Sequence, residues 1–174
     1  DKTSLFDGYI VEYGGMSDET EIKTLPSTGH AYEYVDTSSD ITWEKAREAA
    51  AERSYEGQEG YLVTITSEKE NDLVNSLIDK NSAWIGASDA RSEGTWRWVT
   101  GTEGKEDDGV GRHFFTQTSS RDGFEYDGET PGGGFAVDDN YANWSSTEPN
   151  NLDDEDYAEI YSSGDWNDND APQG

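Results

Sequence analysis

Glu148-Pro149-Asn150-Asn151-Leu152-Asp153-Asp154-Glu155-Asp156, then Tyr157-Ala158-Glu159-Ile160-Tyr161, then Ser163-Gly164-Asp165, then Trp166-Asn167-Asp168: the reading of this run decides the fold. Residues 157–161 alternate as a short strand, and 163–165 form a turn signal. The runs on either side are dense in carboxylates and Asn. Calcium takes six to eight oxygens, and Asn carbonyls serve beside carboxylates. Further upstream, Asp89 and Glu93 form another polar cluster of this kind. In an acidic chain any window shows Asp and Glu, so residue types alone decide little. The polar runs here stand next to Trp84, Trp144 and Trp166, which can fix loop ends to a core.

Working outward from that run, Thr95-Trp96-Arg97-Trp98-Val99 alternates as a half-exposed strand, and Ala83-Trp84-Ile85-Gly86 reads as a buried one. Ser67-Glu68-Lys69-Glu70 is a capping box, in which Ser67 accepts from the Glu70 amide while Glu70 reaches back. It opens a helix with Leu73, Val74, Leu77 and Ile78 on one face. Tyr61–Ile65 reads as a strand. A first helix is expected near Trp43–Arg53, capped by Thr42 or Ser39-Asp40, with Trp43, Ala46, Ala49 and Ala50 at helical spacing. Strands are expected at Phe6–Tyr13 and His30–Val35. Residues 104–140 turn Gly-rich and acidic with little periodicity, which suggests a functional loop region, anchored by His113-Phe114-Phe115 and Phe135-Ala136-Val137. Two helices early and short strands late indicate an α+β class.

The 174 residues suffice for one domain with its own core, spanning 1–174. Lys plus Arg number 12 against 39 Asp plus Glu, a formal net charge of −27, which repels phosphate backbones and anionic lipid. Nucleic acid is therefore excluded as a partner. No apolar run approaches a membrane span, so no membrane insertion is expected. Six Trp, ten Tyr and five Phe are too many for a solvated tail, so the chain reads as folded. Part of the charge simply suits a salty medium. Without cysteine there is no disulfide scaffold and no thiol chemistry, though an extracellular location stays open. Paired carboxylates raise the possibility of glycoside hydrolysis, but no nucleophile–base pair, HExxH or GxSxG motif appears, and an enzyme is not expected.

The ordered set Trp84-Ile85-Gly86, Trp96-x-Trp98-Val99-Thr100-Gly101, Asn143-Trp144, Glu148-Pro149-Asn150, Glu155-Asp156 and Trp166-Asn167-Asp168 resembles the C-type lectin-like family over nearly the whole chain. The resemblance implies two helices packed on small antiparallel sheets, with a long irregular loop region that carries calcium. It implies a principal Ca²⁺ site of Glu148, Asn150, Glu155, Asn167 and Asp168, with a cis bond before Pro149 turning the flanking side-chain carbonyls to the metal. An auxiliary Ca²⁺ site is implied by Asp89, Glu93, Asn151, Glu155 and Asp156; Asn151 stands where the family expects Asp, so this site should be the weaker. The family binds sugar through two vicinal hydroxyls on the principal calcium, and the Glu-Pro-Asn order resembles members that take mannose-, fucose- or glucose-type diols.

Two departures from the family pattern stand out. Ala50 with Val11, and Tyr157 with Ala171, occupy positions where the family is stapled by disulfides. In addition, Gly8-Tyr9-Ile10-Val11-Glu12-Tyr13 resembles the family's last strand but comes first, so residues 1–15 read as a permuted terminal strand or as a leftover of a preceding module. Other features have plain readings. Trp84, Trp96, Trp98 and Trp144 are core residues, Asp153 and Asp154 are solvated, and Glu106, Asp107 and Asp108 form a turn. Asn143-Trp144-Ser145 is structural rather than a glycosylation site. His30 and His113 are lone histidines without metal spacing. The expected function is calcium-dependent binding of cell-surface glycans or polysaccharide by a monomeric module of a larger, secreted or surface-anchored bacterial adhesin. The alternative is a module of the same fold that binds protein, peptide or ice.

Overall fold

A computed structural model describes residues 8–14, 22–37, 39–118 and 133–170. Among the described residues, eleven strands join in one mixed sheet network. The strands are β1 (Gly8–Gly14), β2 (Lys23–Leu25), β3 (His30–Asp36), β4 (Ser54–Tyr55), β5 (Gln58–Leu62) and β6 (Ser82–Ser88). They continue with β7 (Thr95–Trp98), β8 (Arg112–Gln117), β9 (Gly134–Ala136), β10 (Tyr157–Tyr161) and β11 (Trp166–Asn169). The spatial order is β2-β3-β1-β6-β7-β8-β9; β10 branches from β6 to pair with β11, and β5 pairs with β1 and β4. Among the described residues, helices α1 (Trp43–Ala51) and α2 (Glu68–Asn75) and a single helical turn, α3 (Glu106–Gly109), complete the α+β architecture.

Both helices start where side-chain chemistry places them. The Thr42 hydroxyl accepts from the Lys45 amide, and Ser67 accepts from that of Glu70, each satisfying one of the donors a helix leaves open. The second half of the expected capping box is displaced by one residue. Glu70 Oε2 accepts from the Thr66 amide (2.7 Å) and the Thr66 hydroxyl (3.0 Å). α2 is also shorter than its periodicity suggests, because Leu77 and Ile78 continue in turns whose amides bond to the carbonyls of Val74 and Asn75. The strand expected at 61–65 lies earlier, at 58–62, where β1 pairs with it through Val11, Glu12 and Tyr13.

The described residues of the stretch 104–140 depart most from their expected irregularity. They hold β8 and β9, and β8 pairs with β7 along Thr95–Trp98. Phe114 is buried and stacks on Trp98 with centroids 4.5 Å apart, which supplies the apolar face that a five-residue periodicity was too short to reveal. Ahead of β8, the turn 103–109 is wound tightly, with Asp107 and Asp108 at φ 50° and 59°. That backbone region tolerates Asp better than most residues.

The sheet and helices enclose two apolar clusters. One gathers Trp96, Trp98, Phe114, Ile160 and Trp166 with Val63, Ile65 and Val74 under α2. The other gathers Tyr9, Val11, Tyr13, Trp43, Leu62 and Trp84 under α1. β1 contributes to both and pairs with β3 over seven residues, from Gly8↔Asp36 to Gly14↔His30. It also bridges β6 in parallel at Tyr9↔Trp84. Val11 and Ala50 are both fully buried in the α1 cluster. Tyr157 stacks on Trp43 at 4.8 Å. Apolar and aromatic packing thus occupies these positions; Ala171 lies outside the described residues.

Candidate functional site

β6, β10 and β11 carry the loops that hold the candidate ligands. Trp166, which opens β11, is fully buried and donates from Nε1 to Asn71 Oδ1 at 2.8 Å. Its backbone bonds to Asn143 and Ser145, and its ring meets Trp98 and Trp144 edge-on at 5.6 and 5.8 Å. Asn143 Nδ2 donates to the Gly164 carbonyl (2.8 Å), which holds it to the turn before β11 as a structural residue. The tryptophans that flank the acidic runs are therefore core pegs, and they fix where Asp168 and Asn150 lie.

From these pegs the site assembles around Asp168. Its Oδ1 accepts from the Asn150 amide (3.0 Å) and its Oδ2 from the Asn151 amide (2.7 Å). The Glu148–Pro149 bond is cis. Asn150 Nδ2 donates to Glu148 Oε2, and Asn150 Oδ1 is buried without a hydrogen-bond partner. Glu155 closes the loop from the other side: its amide donates to Asn151 Oδ1 (2.8 Å), and its Oε2 accepts from Leu152 N (3.0 Å). Asn151, Asp153 and Asp154 all adopt positive φ, a conformation Asn and Asp bear at least cost, so the run is built to turn tightly. Asn167 stands behind this group. Its Nδ2 donates to the Asp168 carbonyl (2.6 Å) and to Glu159 Oε1 (3.0 Å).

The second cluster lies at the end of β6. Asp89 Oδ2 accepts from Gly94 N (2.8 Å), and the Asp89 amide bonds to the Asp156 carbonyl (3.2 Å). Asp89 Oδ1 and Glu93 Oε1 are both buried without partners. Asn151, expected with this cluster, bonds to Asp168 and to Glu155, which both expected sites share.

The electrostatics match a group of acids held close together. Burial raises Asp89 to about 8, assisted by the charges of Glu93, Asp156 and Asp168. Glu148 rises to about 7 through burial and through its contact with the Asp168 carboxyl. Burial also raises Asp168, against the pull of the Asn151 and Asn150 amides. Glu93 and Asp156 are raised by burial and by neighbouring carboxylates. Such a set is costly when ionised and is relieved by a cation. All of the donors are oxygens, and three buried ones lack partners, so the residues fit a hard divalent ion of the calcium kind.

Sequence spacing missed several members of these networks. Gln117, from the supposed loop region, donates to the Pro149 carbonyl (3.0 Å) and accepts from Trp96 Nε1 (3.2 Å). Its place at the buried end of a strand was the available signal. His30 is not lone: its Nδ1 lies 2.5 Å from Glu12 Oε1, and with Glu70 these side chains cluster closely enough for their ligand-type atoms to meet. There the carboxylate oxygens are already engaged, by Thr64 N on Glu12 and by Tyr32 and Thr66 on Glu70. This cluster clamps β1, β3 and α2 together. Burial raises Glu12, and its bond to Glu12 raises His30.

Residues 39–173 match the Lectin C-type domain family, and the chain belongs to that family. It is 43% identical over 141 residues to Halomucin of Haloquadratum walsbyi, covering 81% of this chain and 1% of that protein. With mouse asialoglycoprotein receptor 2 it shares 28% over 135 residues, 74% of this chain and 32% of the receptor. The chain thus spans a minor part of these relatives. Among solved structures, the human scavenger receptor C-type lectin carbohydrate-recognition domain aligns with a TM-score of 0.57 at 20% identity, covering 90% of this chain and 92% of that one. The EPNH mutant of CEL-I aligns at 0.57 and 23% identity, covering 91% and 92%. These likenesses establish the C-type lectin fold. Membership of the family supports a carbohydrate-binding module. β1 lies outside the matched residues yet is central to the sheet.

Proposed function

We propose that this domain binds glycans through calcium, with Glu148, Asn150, Glu155, Asn167 and Asp168 as the principal ligands. Asp89, Glu93 and Asp156 form the auxiliary site, with Glu155 and Asn151 linking the two. The observation that carries this reading is the buried, unpartnered Asn150 Oδ1 held beside the Glu148 and Asp168 carboxyls. A bound calcium would supply charge neutralisation and open coordination positions for a pair of hydroxyls. The chain's own side chains hold the loop, exclude alternative geometries and offer acceptors to those hydroxyls. Mannose-, fucose- or glucose-type diols are the proposed ligands, in keeping with Glu148-Pro149-Asn150. β1 is read as the family's terminal strand relocated to the start of the domain. The module would act outside the cell, within a larger microbial surface adhesin, where display in many copies offsets weak single sites.

A glycan array probed with and without chelator tests this reading. Binding to mannose- or fucose-bearing glycans that disappears on chelation is expected. Binding that survives chelation, or calcium that leaves the melting temperature unchanged, would refute it.

A further inference from the structure

Asn167 is held from behind by the buried acid Glu159. On the β10/β11 hairpin, Glu159 and Asn167 are directly opposed, and Asn169 follows on the same face. Nδ2 of Asn167 and Nδ2 of Asn169 both donate to Glu159 Oε1, each at 3.0 Å. Glu159 is 1% exposed and Asn167 8%, so water does not compete for these bonds.

An Asn side chain ends in one donor and one acceptor that a flip exchanges, and a hard cation takes only the oxygen. Whichever group claims the nitrogen therefore decides which atom faces the metal. Burying a carboxyl between strands stabilises less than an apolar side chain of similar size would. Packing alone therefore gives no reason for an acid at 159, whereas orienting two amides does.

We propose that Glu159 is a positioning residue of the metal site. Its Oε1 shares the Asn167 amide nitrogen with the Asp168 carbonyl, and together they turn the Asn167 carbonyl oxygen toward the cation. The inference rests on the calcium reading above.

The test uses the whole chain, freed of metal, with Glu159→Leu, Glu159→Asp and Glu159→Gln. Calcium affinity is measured by titration calorimetry, metal-free stability by thermal melting, and the Asn167 side-chain amide by its NMR hydrogen exchange. Loss of a group supporting a metal ligand typically weakens binding about 10–100-fold. That loss is expected for Glu159→Leu, and also for Glu159→Asp, whose shorter arm withdraws the acceptor. Faster Asn167 exchange should accompany it, with metal-free melting at or above the wild-type temperature. Glu159→Gln keeps an oxygen acceptor and should restore affinity to within about threefold. The proposal is overturned if the Leu and Asp variants bind calcium like wild type. It is equally overturned if affinity and metal-free melting fall together without rescue by Gln. A wild-type chain that binds no calcium would instead sink the calcium reading itself, and this inference with it.

Discussion

Without metal, the domain should become less stable as pH rises from about 4 to about 8, the opposite of ordinary acid denaturation. The decisive group is Asp89, almost wholly buried and raised from 3.8 to about 8. A carboxyl whose folded pKa is raised contributes stability that is complete below its unfolded value and lost as pH climbs through the folded one. The relevant window thus runs from about 4 to about 8. Each tenfold change in proton affinity is worth about 1.4 kcal/mol, so ionising Asp89 removes on the order of 5 kcal/mol, comparable with a small domain's whole stability. Glu93, Glu148 and Asp168 act in the same direction. Urea unfolding followed by Trp fluorescence, in metal-stripped buffer at several pH values, reads this loss. Salt near 1 M shortens the screening length to about 3 Å and suppresses the diffuse repulsion of the net charge, leaving the local effect. Saturating calcium should flatten the profile. Asp89→Asn should flatten it in part without metal and stabilise the metal-free protein at high pH by a few kcal/mol. A metal-free stability that is constant or rises with pH, or an Asp89→Asn profile indistinguishable from wild type, would refute the reasoning.

Other outcomes follow from the same geometry. Asp168→Ala removes the acceptor of two loop amides as well as a proposed ligand, and should abolish calcium binding in calorimetry while core Trp fluorescence stays native. Trp166→Ala should cost about 3–5 kcal/mol in urea unfolding, since it empties a fully buried site and strands Asn71 Oδ1; a loss below about 1 kcal/mol would count against the peg role. Deleting residues 1–14 removes Tyr9, Ile10, Val11 and Tyr13, each worth about 1.5–3 kcal/mol when buried, and should abolish the cooperative transition seen by circular dichroism. A retained sharp transition would mean β1 is dispensable.

What could be read from the sequence was local. Thr42 and Ser67 announce their helices, the tryptophans mark buried strands, and the ordered acidic motifs mark the loops that meet at Asp168. What escaped depends on pairings between distant residues. Tyr32 reaches Glu70 across 38 positions, and Thr64 reaches Glu12 across 52. The spacing of histidines along the chain therefore carries no sign of His30's partners. Gln117 escaped because β8 is short and flanked by glycine, so its alternation was lost among polar neighbours. Glu159 escaped because alternation assigned it a face but not a partner; only the hairpin register sets it opposite Asn167.

The seven-residue pairing of β1 with β3 also bears on the order in which the chain folds. The two strands are near neighbours in the chain, whereas β6 meets β10 across a much longer separation, from Ser88 to Tyr157. Closing a short loop costs less entropy than closing a long one, so this hairpin is an inexpensive early nucleus. α1, β5 and β6 can dock onto it as they emerge from the ribosome, before any acidic loop exists. The acidic loops of 148–168 are made after that scaffold, so their carboxylates can converge on strands already synthesised, where ambient cations can relieve their repulsion.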